Sequence, residues 1–335
     1  MRMKTFWKGF IAAGSLLVVL GACSSGNDEA GGSETAEGQE EQQEITIGFS
    51  QVTLESPFYI ELVNGAEEAA AEQGVTLDIV DAQNDIEKQN SDVNSLITKG
   101  IDVLLLNPAN PSSVAPSLKA AENAGVPVIT IDRETNDEVT AYVGRDNKEM
   151  GMYAGEKAVD LLGGKGNAKG KIIEIQGDAG GIVMQARHDG FHHIVSEEEG
   201  IEVIEGPYSE YIRSKAVSAM QDLLQAHPDV DLVYAHNDDM ALGAIQVLSQ
   251  SNMLDDVKVV GVDGLMEALK KIDAGEMDGT VINDPYELGT LAVEAAIKAA
   301  NGEEIDKFIV GGTGLIDQSN VGNYLDEESS FARIQ

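Results

Sequence analysis

The sequence predicts an α/β protein of two similar doubly wound parallel-sheet domains, joined by a multi-strand hinge with a ligand in the cleft between them. Three observations lead there. From Ile45 onward, short apolar and largely β-branched runs alternate with stretches of helical length across short connections, which is the pattern of βαβ units. The alternation runs once to about Arg145 and starts again at about Lys148. The segment beyond Asn283 is too short for a third domain, so it completes the first two and makes the chain cross between them more than once, as a hinge does.

The first series opens with a strand at 45–50, a loop carrying Ser56, Pro57, Phe58 and Tyr59, and an Ala- and Glu-rich helix ending at Gly74. Pro57 suits a first helical turn. Strands at 75–80, 102–106 and 126–131 follow, with helices at 86–99 and 112–123 between them and a short strand at 140–143. The run Val126-Pro-Val-Ile-Thr-Ile-Asp-Arg133 organises this half: an apolar strand, marked by its length, its β-branching and the Gly125 and Pro127 before it, stops abruptly at an acid and a base. In open parallel sheets ligands lie just beyond the carboxyl ends of strands, where Asp132 and Arg133 fall.

The second series has helices at 148–162, 182–196, 213–226 and 240–249, strands at 171–176, 201–205, 231–236 and 257–262, and a Gly-rich loop at 163–170. A strand near 280–283, a helix at 286–300 and strands near Phe308 and Leu315 finish the chain. The expected lobes are 45–145 with 284–311, and 146–283 with 312–335.

The amino terminus has other business. Arg2, Lys4 and Lys8 precede a greasy run at 10–20 and then small residues, the layout of a secretory signal at 1–22. Cys23 is the chain's only cysteine, so no intramolecular disulfide is available to an exported protein. Residues 24–44 hold seven acids, no base and nothing apolar larger than alanine, which makes 23–44 an unfolded acidic tether. With 22 Lys and Arg against 58 Asp and Glu, net charge −36, the surface is a poor partner for nucleic acid. The same charge holds the domain off an anionic membrane, leaving an anchor at Cys23 as the means of attachment.

Strand ends carry a recurring polar chemistry: Asp132-Arg133, Asn237-Asp238-Asp239, Asp263 and Asn283. Together they form a ring of bidentate donors and acceptors suited to vicinal hydroxyls. Arg187 and Arg213 could add fixed donors, and Phe58, Tyr59 and Tyr211 are loop aromatics able to pack on the C–H face of a sugar ring. Metal and catalytic signals are poor. His188 and His192 stand at helical i, i+4 spacing, but no zinc-protease glutamate or third ligand is evident, and surface histidines are expected. No nucleophile elbow, P-loop or dinucleotide fingerprint is present, and Gly177-Asp-Ala-Gly-Gly181 is expected to be a cleft loop.

Leu20-Gly-Ala-Cys23 resembles the bacterial lipobox, which implies lipidation of Cys23. From Ile45 on, Ser56-Pro-Phe-Tyr59, Leu105-Leu-Asn-Pro108, Val126-Pro-Val-Ile-Thr-Ile-Asp-Arg133, Ala226-His-Pro-Asp229, Asn237-Asp-Asp-Met-Ala-Leu-Gly-Ala244 and Val259-Val-Gly-Val-Asp-Gly264 together resemble the ribose-binding group of ABC-transporter solute-binding proteins, of type I periplasmic binding protein fold. The resemblance implies a non-catalytic, lipid-anchored receptor on the outer face of the cell membrane, without cofactor or metal and working as a monomer. It would close over a monosaccharide and hand it to a membrane permease. Phe58 and Tyr59 would stack on the sugar, Asp132 and Arg133 would grip its hydroxyls from the first lobe, and Arg187, Tyr211, Asn237 and Asp263 from the second, with Asn283 at the hinge. Ser56 stands where ribose binders have asparagine, Asn283 where they have glutamine, and Tyr59 and Tyr211 where they have phenylalanine. Ribose is therefore the first expectation, and another pentose, a hexose or a sugar-like signal such as autoinducer-2 the alternative. A sugar-acting enzyme using Asp132 and Asp263 as acid and base is a rival. The amides and arginines beside each carboxylate are expected to keep it ionised, against that rival. A transcription regulator of the same fold would need a helix-turn-helix where this chain has a signal and tether.

Overall fold

The computed structural model describes residues 45–334; the signal, Cys23 and the acidic tether lie outside the described residues. The first lobe is built from β1 (Thr46–Gln51), α1 (Pro57–Gln73), β2 (Thr76–Asp81), α2 (Ile86–Lys99), β3 (Val103–Leu106), α3 (Ala115–Ala124), β4 (Val128–Ile131) and β5 (Ala141–Gly144). The second holds α4 (Asn147–Leu161), β6 (Lys169–Gln176), α5 (Ile182–Val195), β7 (Gly200–Tyr208), α6 (Arg213–Ala226), β8 (Leu232–Ala235), α7 (Asp238–Gln250), β9 (Lys258–Asp263), α8 (Met266–Asp273) and β10 (Gly279–Ile282). The chain then returns through α9 (Pro285–Ala300), β11 (Phe308–Val310), β12 (Leu315–Ile316) and a 3-10 turn at Val321–Asn323.

Sequence chemistry accounts for the helix limits. Asp85 accepts from the Lys88 amide at 2.9 Å and starts α2, while Gly100, at φ 90°, stops it in a left-handed turn that a side chain would strain. Asp146, Asn237 and Asp284 cap α4, α7 and α9 in the same manner.

Each lobe carries one six-stranded sheet, in the order β11-β5-β4-β3-β1-β2 and β12-β10-β9-β8-β6-β7. The two orders are equivalent, which is why the lobes look alike. All pairings are parallel except β12 on β10. Successive residues of β3 point to opposite faces: Val103 and Leu105 join Ile47, Phe49, Ile129 and Ile131 against α1 and α9, whereas Leu104 and Leu106 join Val93, Leu96 and Ala121 of α2 and α3. The second sheet is covered likewise, by α6, α7 and α8 on one face and α4 and α5 on the other. Burial on both faces explains why the strands read as unbroken apolar runs.

Three segments pass between the lobes, from β5 to α4, from β10 to α9 and from β11 to β12. The last residues touch both lobes: Phe331 stacks edge-on to Phe58, while the Ala332 amide donates to Gly264 O at 2.7 Å.

The structure departs from expectation at four places. Phe58 and Tyr59 lie in the first turn of α1, not in a loop, because Pro57 already occupies the first helical position. Helix α8 was not expected; it is eight residues long, and its apolar face of Met266, Leu269 and Ile272 is too short to stand out as periodic. β6 begins at Lys169, inside the expected Gly-rich loop, and β7 runs on to Tyr208.

Candidate ligand-binding cleft

The side chains at the carboxyl ends of the strands meet between the lobes. β4 delivers Asp132, which takes the left-handed conformation at φ 63°. Its amide donates to Val143 O at 2.9 Å, and its carbonyl accepts from the Tyr142 hydroxyl at 3.0 Å, so the turn is pinned at both backbone groups. Arg133 NH2 donates to the Tyr59 hydroxyl at 2.9 Å, and its guanidinium lies 5.9 Å from the centre of the Tyr59 ring. Its Nε is 3.9 Å from the Asp132 carboxylate. Ser56, the N-cap of α1, makes no side-chain capping bond. Phe58 is packed into the core of the first lobe, edge-on to Tyr59 and Phe331.

From the second lobe, Arg187 on α5 is held from three sides. Its Nε donates to Asn147 Oδ1 at 3.0 Å, NH1 donates to the His236 carbonyl, and NH2 lies 3.7 Å from Asp263 Oδ1. Asn237 Oδ1 caps α7 through the Met240 amide at 2.9 Å, while Nδ2 has only a long contact, 3.4 Å, to Tyr211 O. Asn283 Nδ2 donates to Asp263 Oδ1 at 3.2 Å; its Oδ1 and the Tyr211 hydroxyl are buried without a partner. Buried polar atoms of this kind are rare unless something else is to meet them.

Backbone strain concentrates here. Asp132, Tyr211 and Asp263 have φ values of 63°, 59° and 130°, conformations that cost free energy and persist where the surroundings enforce them. The Tyr211 ring occupies the space where a Cβ on Gly177 would lie, so that glycine is what lets the ring enter.

Burial dominates the electrostatics. It pushes the Asp263 carboxyl up to about 8 despite Arg187, with the nearby Asp238 and Asp132 charges adding to the rise. It also raises Asp132 against the opposing pull of Arg133 and Arg187, and the hydroxyls of Tyr59 and Tyr211. For Asp263 the expectation that neighbouring arginines and amides keep the carboxylate ionised is therefore corrected, because desolvation outweighs them; Asp132 is shifted in the same direction. Asp132 and Asp263 influence each other from opposite lobes. A cavity of about 360 Å³ opens on the hinge side, lined by Asp132, Tyr142 and Arg145 from one lobe and Asn147, Ile182 and Ala186 from the other.

Some of the expected polar groups point elsewhere. Asp238 accepts from Thr280 Oγ1 at 2.7 Å and the Leu265 amide at 2.8 Å, a structural tie between β10 and α8. Asp239 and Glu267 hold Arg213, whose Nε donates to Asp239 Oδ1 at 2.9 Å, so Arg213 braces three helices. His188 and His192, expected on the surface, are only partly exposed and surround the buried Glu174.

Sequence reasoning also missed residues. Asn107, fully buried at the end of β3, has its backbone fixed by Ser50 O and Gln89 Nε2, while both atoms of its side-chain amide lack a partner. It lies close enough to Asp132 to favour that carboxylate. It follows an apolar strand just as Asp132 does, and the same strand-end rule finds it. Asp178, in the loop 177–181, acts on Tyr59, Arg133 and Tyr211; nothing in its sequence context marked it out from the glycines around it.

Known proteins share this architecture. The chain is 39% identical over 80% of its length to the ribose import binding protein of Bacillus subtilis, covering 86% of that protein. It superposes with a TM-score of 0.84 on an ABC transporter solute binding protein from Mycobacterium smegmatis with bound glycerol, at 53% identity over 87% of this chain and 100% of the other. A solute binding protein from Bacillus halodurans with bound myo-inositol gives a TM-score of 0.80 at 30% identity, over 85% of this chain and 99% of the other. Residues 47–304 match the periplasmic binding protein domain, and the chain belongs to that family as an extracytoplasmic solute-binding receptor rather than an enzyme.

Proposed function

We propose that the chain is the sugar receptor of an ABC importer, and that it takes a monosaccharide, ribose first, between its two lobes. The observation that carries this reading is the set of buried polar groups at facing strand ends that keep hydrogen-bonding capacity in reserve: the Asn107 amide, the Tyr211 hydroxyl and Asn283 Oδ1. Vicinal hydroxyls, each a donor and an acceptor, match such a set. Ser56, Phe58, Tyr59, Asp132 and Arg133 serve from the first lobe, and Arg187, Tyr211, Asn237 and Asp263 from the second, with Asn283 between them. The lobes pivot about 145/146, 283/284 and 311/312. The relative named for ribose import supports ribose; the smaller Ser56 and Asn283 and the added hydroxyls of Tyr59 and Tyr211 favour a pentose or hexose of somewhat different shape as the alternative. The protein is a monomer tethered through a lipid on Cys23 and delivers its sugar to a membrane permease.

A thermal-shift and calorimetric panel over ribose, other pentoses, hexoses, myo-inositol and autoinducer-2 tests the ligand. Ribose should give the largest shift. No shift with any member, or recovery of a chemically altered sugar, overturns the receptor reading. Labelling with radioactive fatty acid, lost in Cys23→Ser, tests the anchor.

A further inference from the structure

On the far side of Arg187 from the sugar groups lies a second cluster. Glu174, on β6, has a completely buried side chain that sits among three imidazoles. His188 Nδ1 is 3.1 Å from its Oε1, His192 Nε2 is 2.9 Å from its Oε2, and His236 Nε2 is 2.7 Å from Oε1. His188 and His192 are one turn apart on α5 with ring centres 4.0 Å apart, and they keep 20% and 28% of their side chains exposed. The ligand atoms of Glu174, His188 and His192 all lie within 4.8 Å of one another.

We propose that Glu174, His188 and His192 form a binding site for Zn²⁺. In a tetrahedral zinc site with bonds of about 2.0–2.1 Å, neighbouring donor atoms are about 3.3 Å apart. Glu174 Oε2 lies 3.2 Å from His188 Nδ1 and 2.9 Å from His192 Nε2, separations that need to widen by only a few tenths of an ångström to admit the ion, while Oε1 stays with His236. Two imidazoles and one carboxylate suit zinc and other borderline ions, not Mg²⁺ or Ca²⁺, which demand more oxygen ligands. The exposed edges of His188 and His192 leave an entry path and a fourth position for water. His236 completes the design from behind. Its Nδ1 has no partner, so the proton sits on Nε2 and is donated to Glu174, fixing the carboxylate as an outer-shell residue does. Entry of the ion displaces the N–H protons with which His188 and His192 otherwise bond Glu174: from a neutral ring the proton moves to the other ring nitrogen, and from an imidazolium one proton passes to water. The site stands whatever solute the cleft takes.

The test titrates Zn²⁺ into the chelator-stripped intact chain by calorimetry and thermal shift, with Mg²⁺ as control. One Zn²⁺ per chain and a higher melting temperature are expected, with affinity at least about tenfold weaker in His188→Gln/His192→Gln. Undiminished affinity in that variant would assign the ion to surface carboxylates and overturn the site, as would the absence of any Zn²⁺ signal in the unaltered chain. Co²⁺ gives an answer that does not need the variant to fold: the unaltered chain should develop the strong visible absorption of a four-coordinate ion, and weak six-coordinate absorption refutes the geometry.

Discussion

Replacing Arg187 with alanine is expected to destabilise the second lobe by about 2–6 kcal/mol, the cost of leaving two buried acceptors unpaired. The magnitude follows from what the guanidinium satisfies. It is buried, and its removal orphans Asn147 Oδ1 and the His236 carbonyl, at about 1–3 kcal/mol for each group left buried and unpaired. It also takes away the cation 3.7 Å from Asp263. That loss is small at neutral pH, where a carboxyl pushed up to about 8 is already mostly protonated with Arg187 present. It adds to the cost only well above pH 8. Urea denaturation of Arg187→Ala, Asp263→Asn and the double variant closes a double-mutant cycle, in which a coupling of about 0.5–3 kcal/mol is expected. A loss below about 1 kcal/mol for Arg187→Ala, the range of exposed pairs, would refute the assignment of Arg187 as a buried counter-ion.

The remaining expectations concern the cleft and the packing behind it. Arg133→Ala should abolish the sugar-induced thermal shift, about 2.7 kcal/mol at 100 times the dissociation constant, while the unliganded protein still folds with a melting temperature lowered by the lost Tyr59 bond; a normal shift removes Arg133 from the site. Asp263 has a folded pKa above its unfolded one, so below about pH 4 both states are protonated and the group has no effect. As pH rises from about 4 to 8 the unfolded state alone gives up its proton and stability falls, by a few kcal/mol at most. Asp263→Asn should flatten the unliganded stability profile over that range, and an unchanged slope would assign the titration elsewhere. A Cβ on Gly190 would overlap the Lys148 carbonyl, where α5 crosses α4, whereas the nearest atoms to one on Gly177 belong to the movable ring of Tyr211. Gly190→Ala should therefore cost about 1–3 kcal/mol in denaturant melts, while Gly177→Ala should weaken sugar binding in calorimetry with little loss of stability. Equal effects of the two substitutions on stability would contradict this division.

The strands and most helices were legible because a sheet covered on both faces needs unbroken apolar runs such as Val103–Leu106 and Val128–Ile131, and because capping residues such as Asp85 and Gly100 mark helix ends locally. The cleft was legible where a polar residue directly follows such a run. What the sequence could not display depends on pairing between distant segments. Asp238 looks as available as Asn237, yet Thr280, 42 positions away, claims it. Nothing near His188 and His192 reveals Glu174, which reaches them only when β6 lies beneath α5. The dominance of burial over the arginines likewise arises from the folded surroundings, not from either strand end alone.

That dominance bears on closure. With the lobes together, burial is the largest influence on Tyr59, Asp132, Tyr211 and Asp263, and it raises all four. In this arrangement the groups have lost more hydration than protein partners return, and the Asp132 charge on one lobe adds to the rise of Asp263 on the other. Arg133 and Arg187 offset part of this cost but not all of it. On the proposed reading, sugar hydroxyls bonding to both lobes restore the lost hydrogen bonds only when the lobes are together. This is the differential affinity that a closing ligand must have. On that reading the selectivity of closure resides in how many of these groups a given sugar satisfies.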